Sequence, residues 1–260
     1  MPLLATADGR LEYLETGTGA PLTVFGHGLA GSIADTRPLG SGVAGRRAFF
    51  HFRGHGDSSV AGGWSYPALA GDLRTVADAL GASRAVGVSM GAGALTALLA
   101  ETPDRFERVV FFLPGALDLP RAGPGLRHLA RLADAVDAGD EARLAGLLAG
   151  ELPASVRDRP GARAQVDSRA AMMLGAGGGL VAALRSLPGQ VPAADRQALA
   201  AVGVPALVVA QAGDELHPVS VAEELAGALG QAKLKVFDSG SAVWLARSEL
   251  RAVVAGFLNA

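Results

Sequence analysis

Ser89 is the residue of this sequence best placed to act as a nucleophile. It lies at the centre of the pentapeptide G-V-S-M-G, residues 87–91, directly after a short apolar segment, 85–88, that predicts a strand. A segment rich in small residues, 92–99, predicts a helix immediately afterwards. Glycines on both sides of a serine allow the helix and the strand to approach closely around a strained turn. The sequence therefore predicts a sharp strand-to-helix turn that presents the Ser89 hydroxyl.

A serine hydroxyl needs a neighbouring base, because it is a poor nucleophile at neutral pH. The sequence contains five histidines, and the last of them is His217. Asp214 lies three residues before it, after a predicted strand at 206–210. Taken alone, Asp214 could be an ordinary loop aspartate, so any role in catalysis has to come from the wider pattern.

Short apolar runs alternate with longer amphipathic stretches, a pattern that builds a mostly parallel sheet with helices on both faces. Apolar residues at helical spacing predict helices around 69–80 and 250–258. Ser220 with Glu223 predicts a capping box that opens another helix. The predicted strands cover residues 3–6, 10–15, 22–27, 48–52, 85–88, 109–113, 206–210 and 234–237.

The interval 119–190 breaks this alternation, because it has helical periodicity and no strand pattern. We therefore divide the chain into a first part of the core domain, 1–118, a helical cap, 119–190, and a second part of the core domain, 191–260. The alternative is that these helices simply extend the flank of the sheet.

The composition excludes several classes of protein. The formal net charge is only −2, which provides no basic surface for nucleic acid or anionic lipid. Cysteine is absent and the histidines are scattered, so we expect no disulfide, no metal and no cofactor. The first residues lack a signal-peptide pattern and no run of eighteen apolar residues occurs, which predicts a soluble cytoplasmic protein. Abundant Arg, Ala and Gly suggest a GC-rich bacterial genome.

Three motifs of this sequence resemble those of the α/β-hydrolase fold family. They are the G-x-S-x-G nucleophile elbow at 87–91, an H-G-x-x-G loop within 25–32, and an R-G-x-G-x-S turn at 53–58. Each follows a predicted strand, at the edge of the sheet where ligands bind in open α/β folds. The resemblance implies a mostly parallel eight-stranded sheet with a helical cap. Small bacterial esterases, enol-lactonases and haloperoxidase-like enzymes have the most similar pattern.

The resemblance also implies an oxyanion hole beside Ser89. The backbone N–H of Leu29, in the H-G-x-x-G loop, is the candidate for its first donor. The N–H of Met90 is the candidate for the second, because an amide at the start of a helix has no intrahelical partner. His27 in the same loop is expected to be structural, and Asp57 and Ser58 to form a turn.

Asp214 follows the strand after which this family carries the acid of its catalytic triad, and the chain order of Ser89 before Asp214 also agrees. Asp118, which follows the predicted strand at 109–113, occupies the other position where related enzymes carry the acid. We expect Asp214 to be the acid and retain Asp118 as the alternative.

The resemblance fails at the catalytic histidine. The family carries it in a G-x-G-H-like loop after the last strand, but residues 237–244 here are F-D-S-G-S-A-V-W. Ser241 or Ala242 therefore stands where the histidine is expected. Without a base, acyl transfer should be slower by several orders of magnitude.

Three explanations remain open. Another histidine could serve as the base: His217 lies on the loop of Asp214, although His217-Pro218 is also an ordinary helix-entry turn, and His55 is a further candidate. The protein could instead be a catalytically silent binding protein for a small ligand. The pocket could also catalyse a cyclisation or an elimination without a histidine. An engineered loss of the histidine would give the same sequence.

From these observations we expect a serine hydrolase of small esters or lactones with an impaired or unconventional triad. Ser89 and Asp214 occupy triad positions, and His217 is the candidate base. Because the usual histidine is absent, the expectation from sequence is a low esterase activity that His217→Ala leaves unchanged.

Overall fold

The computed structural model describes residues 1–238 and 241–260. The chain forms one twisted sheet with helices on both faces. Its strands are β1 (Leu3–Thr6), β2 (Gly9–Thr16), β3 (Leu22–Gly26), β4 (Arg46–Phe50), β5 (Ser59–Val60), β6 (Arg84–Val88), β7 (Arg108–Phe112), β8 (Ala206–Gln211) and β9 (Ala232–Phe237).

Eight of these strands form a continuous sheet in the order β1-β2-β4-β3-β6-β7-β8-β9. The pairs β1–β2 and β2–β4 are antiparallel, and every pair from β4–β3 to β8–β9 is parallel. The predicted mostly parallel eight-stranded sheet is confirmed. The two-residue strand β5, which pairs with β2, was missed because two residues carry no detectable alternation.

The central strands are buried on both faces, which explains their predominantly apolar sequences. Every residue of β3 and β8 is buried. The register places Gly87 of β6 between Gly26 of β3 and Phe111 of β7. The carboxyl ends of β3, β6 and β8 therefore lie at one edge of the sheet. The loops that carry Leu29, Ser89 and Asp214 emerge there.

The helices of the described residues alternate with the strands. They are α1 (Ile33–Thr36), α2 (Tyr66–Leu80), α3 (Met90–Glu101), α4 (Gly123–Asp137), α5 (Glu141–Gly150), α6 (Ala154–Arg157), α7 (Pro160–Ser186), α8 (Val219–Ala228), α9 (Ala242–Leu245) and α10 (Arg247–Asn259). The capping-box prediction was wrong: α8 begins at Val219 with Pro218 as its N-cap residue, so Ser220 lies inside the first turn.

Helices α4 to α7 form an insertion between β7 and β8 with a small core of its own. That core includes Leu132 from α4, Leu144 from α5 and Met173 from α7. Helix α7 has non-helical backbone angles at Gly177. By length and composition alone, the segment Pro160–Gly189 could span a bilayer. A long helix that packs inside a protein meets the same criterion, and α7 contacts both α4 and α5.

Three buried histidines hold the loop that follows β3. His27 Nε2 accepts the Phe52 N–H at 3.1 Å, and His55 Nε2 accepts the Ala30 N–H at 3.2 Å. His51 Nε2 accepts the Ile33 N–H at 3.1 Å. Each ring must be neutral to accept these bonds, because a protonated imidazole has no acceptor. The loop containing Leu29 therefore depends on uncharged histidines.

Acid should destabilise this arrangement. Burial lowers the pKa of His55 from 6.5 to about 4, and burial also holds the pKa of His27 well below 6.5. The folded protein thus binds fewer protons than the unfolded chain, so stability is complete above pH 6.5 and is lost progressively down to about pH 4. His55 alone should account for roughly 3 kcal/mol of the loss.

Urea unfolding at pH 7.5 and pH 4.5 measures this effect. His55→Gln should lower the free energy of unfolding at pH 7.5 and reduce its fall between the two pH values. Equal free energies of unfolding for the unchanged protein at both pH values would show that the histidines do not stabilise the loop in this way.

Candidate active site

Ser89 lies on the predicted sharp turn between β6 and α3. Its backbone has φ 49° and ψ −105°, a conformation that an L-residue adopts only under constraint. Two hydrogen bonds hold the turn: the Ser89 N–H donates to the Phe112 carbonyl at 2.9 Å, and the Gly93 N–H donates to the Ser89 carbonyl at 3.0 Å. The serine side chain is thereby presented at the carboxyl edge of the sheet.

The flanking glycines are required by close backbone contacts. A Cβ atom on Gly87 would overlap the carbonyl of Gly91, and a Cβ atom on Gly91 would overlap the carbonyl of Gly26. The Gly91 N–H also donates to the His27 carbonyl at 3.1 Å. The glycine pattern therefore brings the helix start, β6 and the loop after β3 together, as the sequence predicted.

Asp214 forms a compact turn after β8. One carboxylate oxygen, Oδ1, accepts the N–H groups of Leu216 at 2.9 Å and His217 at 3.1 Å. The other, Oδ2, accepts Nδ1–H of the His217 ring at 2.9 Å. The carboxylate thus orders the backbone of the turn and orients the imidazole attached to it.

His217 lies within hydrogen-bonding distance of the predicted nucleophile. Its Nε2 atom is 2.8 Å from Ser89 Oγ. Because Nδ1 carries the proton given to Asp214, Nε2 is free to accept the serine hydroxyl. A histidine three residues after its aspartate can therefore reach both partners. The sequence analysis expected that His217→Ala would leave hydrolysis unchanged; this geometry favours the opposite outcome, and the effect of the substitution stays a prediction.

The Asp214 carboxylate is strongly stabilised in its ionised form. Burial favours the protonated form, but hydrogen bonds from His217 and Gln211, the nearby His217 charge and the Leu216 N–H outweigh it and lower the pKa of Asp214 to about 2. Asp214 is thus an anion over the whole neutral range. A fixed anion at Nδ1 favours the imidazolium that forms when His217 takes a proton.

Gln211 is a site residue that the sequence analysis missed. Its Nε2 donates to Asp214 Oδ2 at 2.8 Å, and its Oε1 accepts the Ala242 N–H at 2.8 Å. Ala242 is one of the two positions where the family's histidine was expected, and its backbone here binds Gln211. Positions 239 and 240 of that loop lie outside the described residues. The only sequence signal for Gln211 was a polar residue ending the apolar strand β8.

Two alternatives from the sequence analysis are wrong. Asp118 forms a two-pronged ion pair with Arg196, at 2.5 and 2.6 Å, and does not contact a histidine. His55 uses Nε2 to accept the Ala30 N–H, so it cannot also accept the Ser89 proton. His27 is structural as expected. Ser58 supports a turn, because its hydroxyl donates to the His51 carbonyl and accepts the Glu12 N–H.

The candidate oxyanion donors lie beside Ser89. Leu29, Ser89 and Met90 line one cavity of about 70 Å³. Met90 is the first residue of α3, where the amide has no intrahelical partner. The loop of Leu29 approaches closely, since a Cβ on Gly28 would lie 3.3 Å from Ser89 Cβ. Convergence of the two amides on one point stays a prediction.

The small cavity extends between the core and the helical insertion. Insertion residues Leu129, Leu132 and Leu184 contribute to its wall. A larger cleft of about 1040 Å³ lies next to it. Both are lined by Glu151, Arg169, Leu216 and His217. Ser89 therefore faces a small compartment, and His217 lies at the boundary between the two.

Comparison with solved structures supports this architecture. A hydrolase from Pseudomonas aeruginosa PA01 has 27% identity and a TM-score of 0.80, with 100% of this chain and 98% of that chain covered. An enol-lactonase from Burkholderia xenovorans LB400 has 22% identity and a TM-score of 0.81, with both chains covered completely. An esterase from Exiguobacterium antarcticum has 16% identity and a TM-score of 0.80, with 97% and 96% covered.

A search of curated protein sequences gave no match. Residues 21–243 match the family model described as the alpha/beta hydrolase fold, a span that includes Ser89, Asp214 and His217. With the sheet order, the turn at Ser89 and a match over most of its length, the chain belongs to the alpha/beta-hydrolase fold family.

Proposed function

We propose that this protein is a serine hydrolase of small esters or lactones, with Ser89 as nucleophile, His217 as base and Asp214 as the orienting acid. The observation that carries the proposal is the continuous chain of hydrogen bonds, 2.8 Å from Ser89 Oγ to His217 Nε2 and 2.9 Å from His217 Nδ1 to Asp214 Oδ2. Similarity to an esterase and an enol-lactonase supports the same class of reaction.

In the proposed mechanism, His217 Nε2 takes the hydroxyl proton as Ser89 Oγ attacks the ester carbonyl carbon. The carbonyl oxygen becomes an oxyanion, which the N–H groups of Leu29 and Met90 stabilise. Collapse of this intermediate breaks the bond to the alkoxide, and His217 returns the proton to the leaving oxygen. A water molecule then attacks the acyl-enzyme with the same base, which releases the acid and restores Ser89.

We further propose that residues 119–190 act as a cap that limits the size of the acyl group. Support comes from the insertion side chains that line the cavity above Ser89. The silent binding protein and the histidine-free enzyme were considered because the usual histidine is absent. The contact between His217 and Ser89 supports the hydrolase over both alternatives. Cytoplasmic location and bacterial origin remain predictions from sequence.

The triad predicts that Ser89→Ala and His217→Ala each lower kcat for p-nitrophenyl acetate by at least about 1,000-fold. Activity of the unchanged protein should fall on acidification, because protonated His217 cannot accept the serine proton. Release of p-nitrophenolate measures the rate. Ser220→Ala is the matched control, since Ser220 is exposed on α8.

Imidazole in solution should restore part of the activity of His217→Ala and none of that of Ser89→Ala. Full activity in His217→Ala would remove His217 from the mechanism and leave the base unidentified.

Gln211 should act as a positioning residue through Asp214. Gln211→Leu removes a donor from Asp214 Oδ2 and the acceptor of the Ala242 N–H, so the carboxylate and the imidazole lose alignment. We expect kcat to fall by about 10-fold with little change in KM. Steady-state kinetics and thermal unfolding check this together.

The pH profile separates positioning from a purely structural role. Gln211→Glu places a second carboxylate beside Asp214, and the added negative charge favours the protonated form of the imidazole that Asp214 binds, which should move the acidic limb of the kcat profile to higher pH. A loss of thermal stability in both variants with unchanged kcat and an unchanged pH profile would contradict the positioning role.

A further inference from the structure

The cavity beside Ser89 contains a guanidinium group that the proposed mechanism does not use. Arg121 follows β7 at the beginning of the helical insertion, and its side chain lines the same cavity as Leu29, Ser89 and Met90. The side chain is half-buried. A cation thus lies in the compartment that would receive the acyl group.

The position of this guanidinium is well defined by its neighbours. Its Nη1 donates to the carbonyl of Leu216, and Tyr66, whose side chain is buried, lines the same cavity. Burial raises the pKa of Tyr66, and the charge of Arg121 partly opposes that rise. A Cβ on Gly115 would overlap the guanidinium, so glycine at 115 leaves the space that Arg121 occupies.

Arg121 has no protein counter-ion within the described residues. No carboxylate lies within 4.0 Å of its guanidinium there, and positions 239 and 240 are serine and glycine. The other arginine of the cavity, Arg169, is paired with Glu151. A partly desolvated cation without a counter-ion is costly, and a bound anion would offset that cost. The Leu216 carbonyl and the Tyr66 side chain are neutral and do not supply a negative charge.

We propose that Arg121 binds a carboxylate on the acyl part of the substrate. The preferred substrates are then hemiesters or lactones of short dicarboxylic acids. This inference rests on the proposed function of Ser89. A guanidinium has five N–H donors, so the bond to the Leu216 carbonyl leaves donors for a carboxylate.

The two cavities determine the orientation of the substrate in the site. The cavity of about 70 Å³ suits a short acyl chain that ends near Arg121. His217 must deliver a proton to the leaving oxygen, and it borders the cleft of about 1040 Å³. The alcohol part therefore extends into the larger cleft, and substrate discrimination by charge acts on the acyl part.

A competing role for Arg121 is mechanical, because its bond to the Leu216 carbonyl tethers the loop that carries His217. The two roles differ in what they predict. Loss of a tether would slow hydrolysis of all esters equally, whereas loss of a carboxylate site would slow only that of acidic esters, mainly through KM.

Hydrolysis of monoethyl glutarate and ethyl pentanoate, followed by proton release at constant pH, distinguishes these roles. The two esters differ by a carboxylate in place of a methyl group. The unchanged protein should favour monoethyl glutarate by about 10-fold or more in kcat/KM. Arg121→Gln should abolish this preference and leave ethyl pentanoate within about threefold, whereas Arg121→Lys should retain part of it.

Arg127→Gln is the matched control, since Arg127 is exposed on α4. It should retain the full preference. If the unchanged protein shows no preference, or if Arg121→Gln lowers both rates equally, the carboxylate site is overturned.

Calorimetric titration of Ser89→Ala with glutarate tests the site without catalysis. Binding that Arg121→Gln weakens by about 10-fold supports the carboxylate site even if neither ester is hydrolysed, in which case the proposed function alone fails. Esters hydrolysed through Ser89 without preference, together with no binding of glutarate, would overturn the inference and leave the proposed function intact.

Discussion

The proposed active site depends on one short turn, in which the Asp214 carboxylate binds both the backbone and the imidazole of His217. Two N–H groups bound to Oδ1 close the turn, and the ring proton bound to Oδ2 directs Nε2 toward Ser89. The proposed acid and base thus come from a single loop. Their alignment is local, because it does not require a separate loop after the last strand to deliver the histidine.

Gln211 explains how the fold accommodates this arrangement. In the family pattern the histidine comes from the loop after the last strand, but here Gln211 links the start of α9 to Asp214. It binds the carboxylate oxygen that also holds the imidazole. The site therefore places a neutral donor on the same carboxylate oxygen as the imidazole, which helps keep Asp214 ionised.

The sequence predicted the elements better than the contacts between them. The spacing of Gly87 and Gly91 was enough to predict the turn at Ser89, because a side chain at either glycine would overlap backbone atoms. Spacing could not predict His217, since a histidine before a proline has the same sequence whether its ring faces solvent or Ser89. The sequence analysis missed Gln211 and Arg121 for a related reason: Ala242, which Gln211 binds, and Leu216, which Arg121 binds, are distant in sequence, and only the fold brings them together.

Covalent labelling with a fluorophosphonate tests the central claim most directly, because only a serine activated by a neighbouring base reacts rapidly with it. Mass spectrometry of the digested protein identifies the modified residue. We expect one adduct, on Ser89, formed in the unchanged protein and lost in His217→Ala while the fold is retained. Equal labelling of Ser89 with and without His217, or no labelling of Ser89 at all, would contradict it.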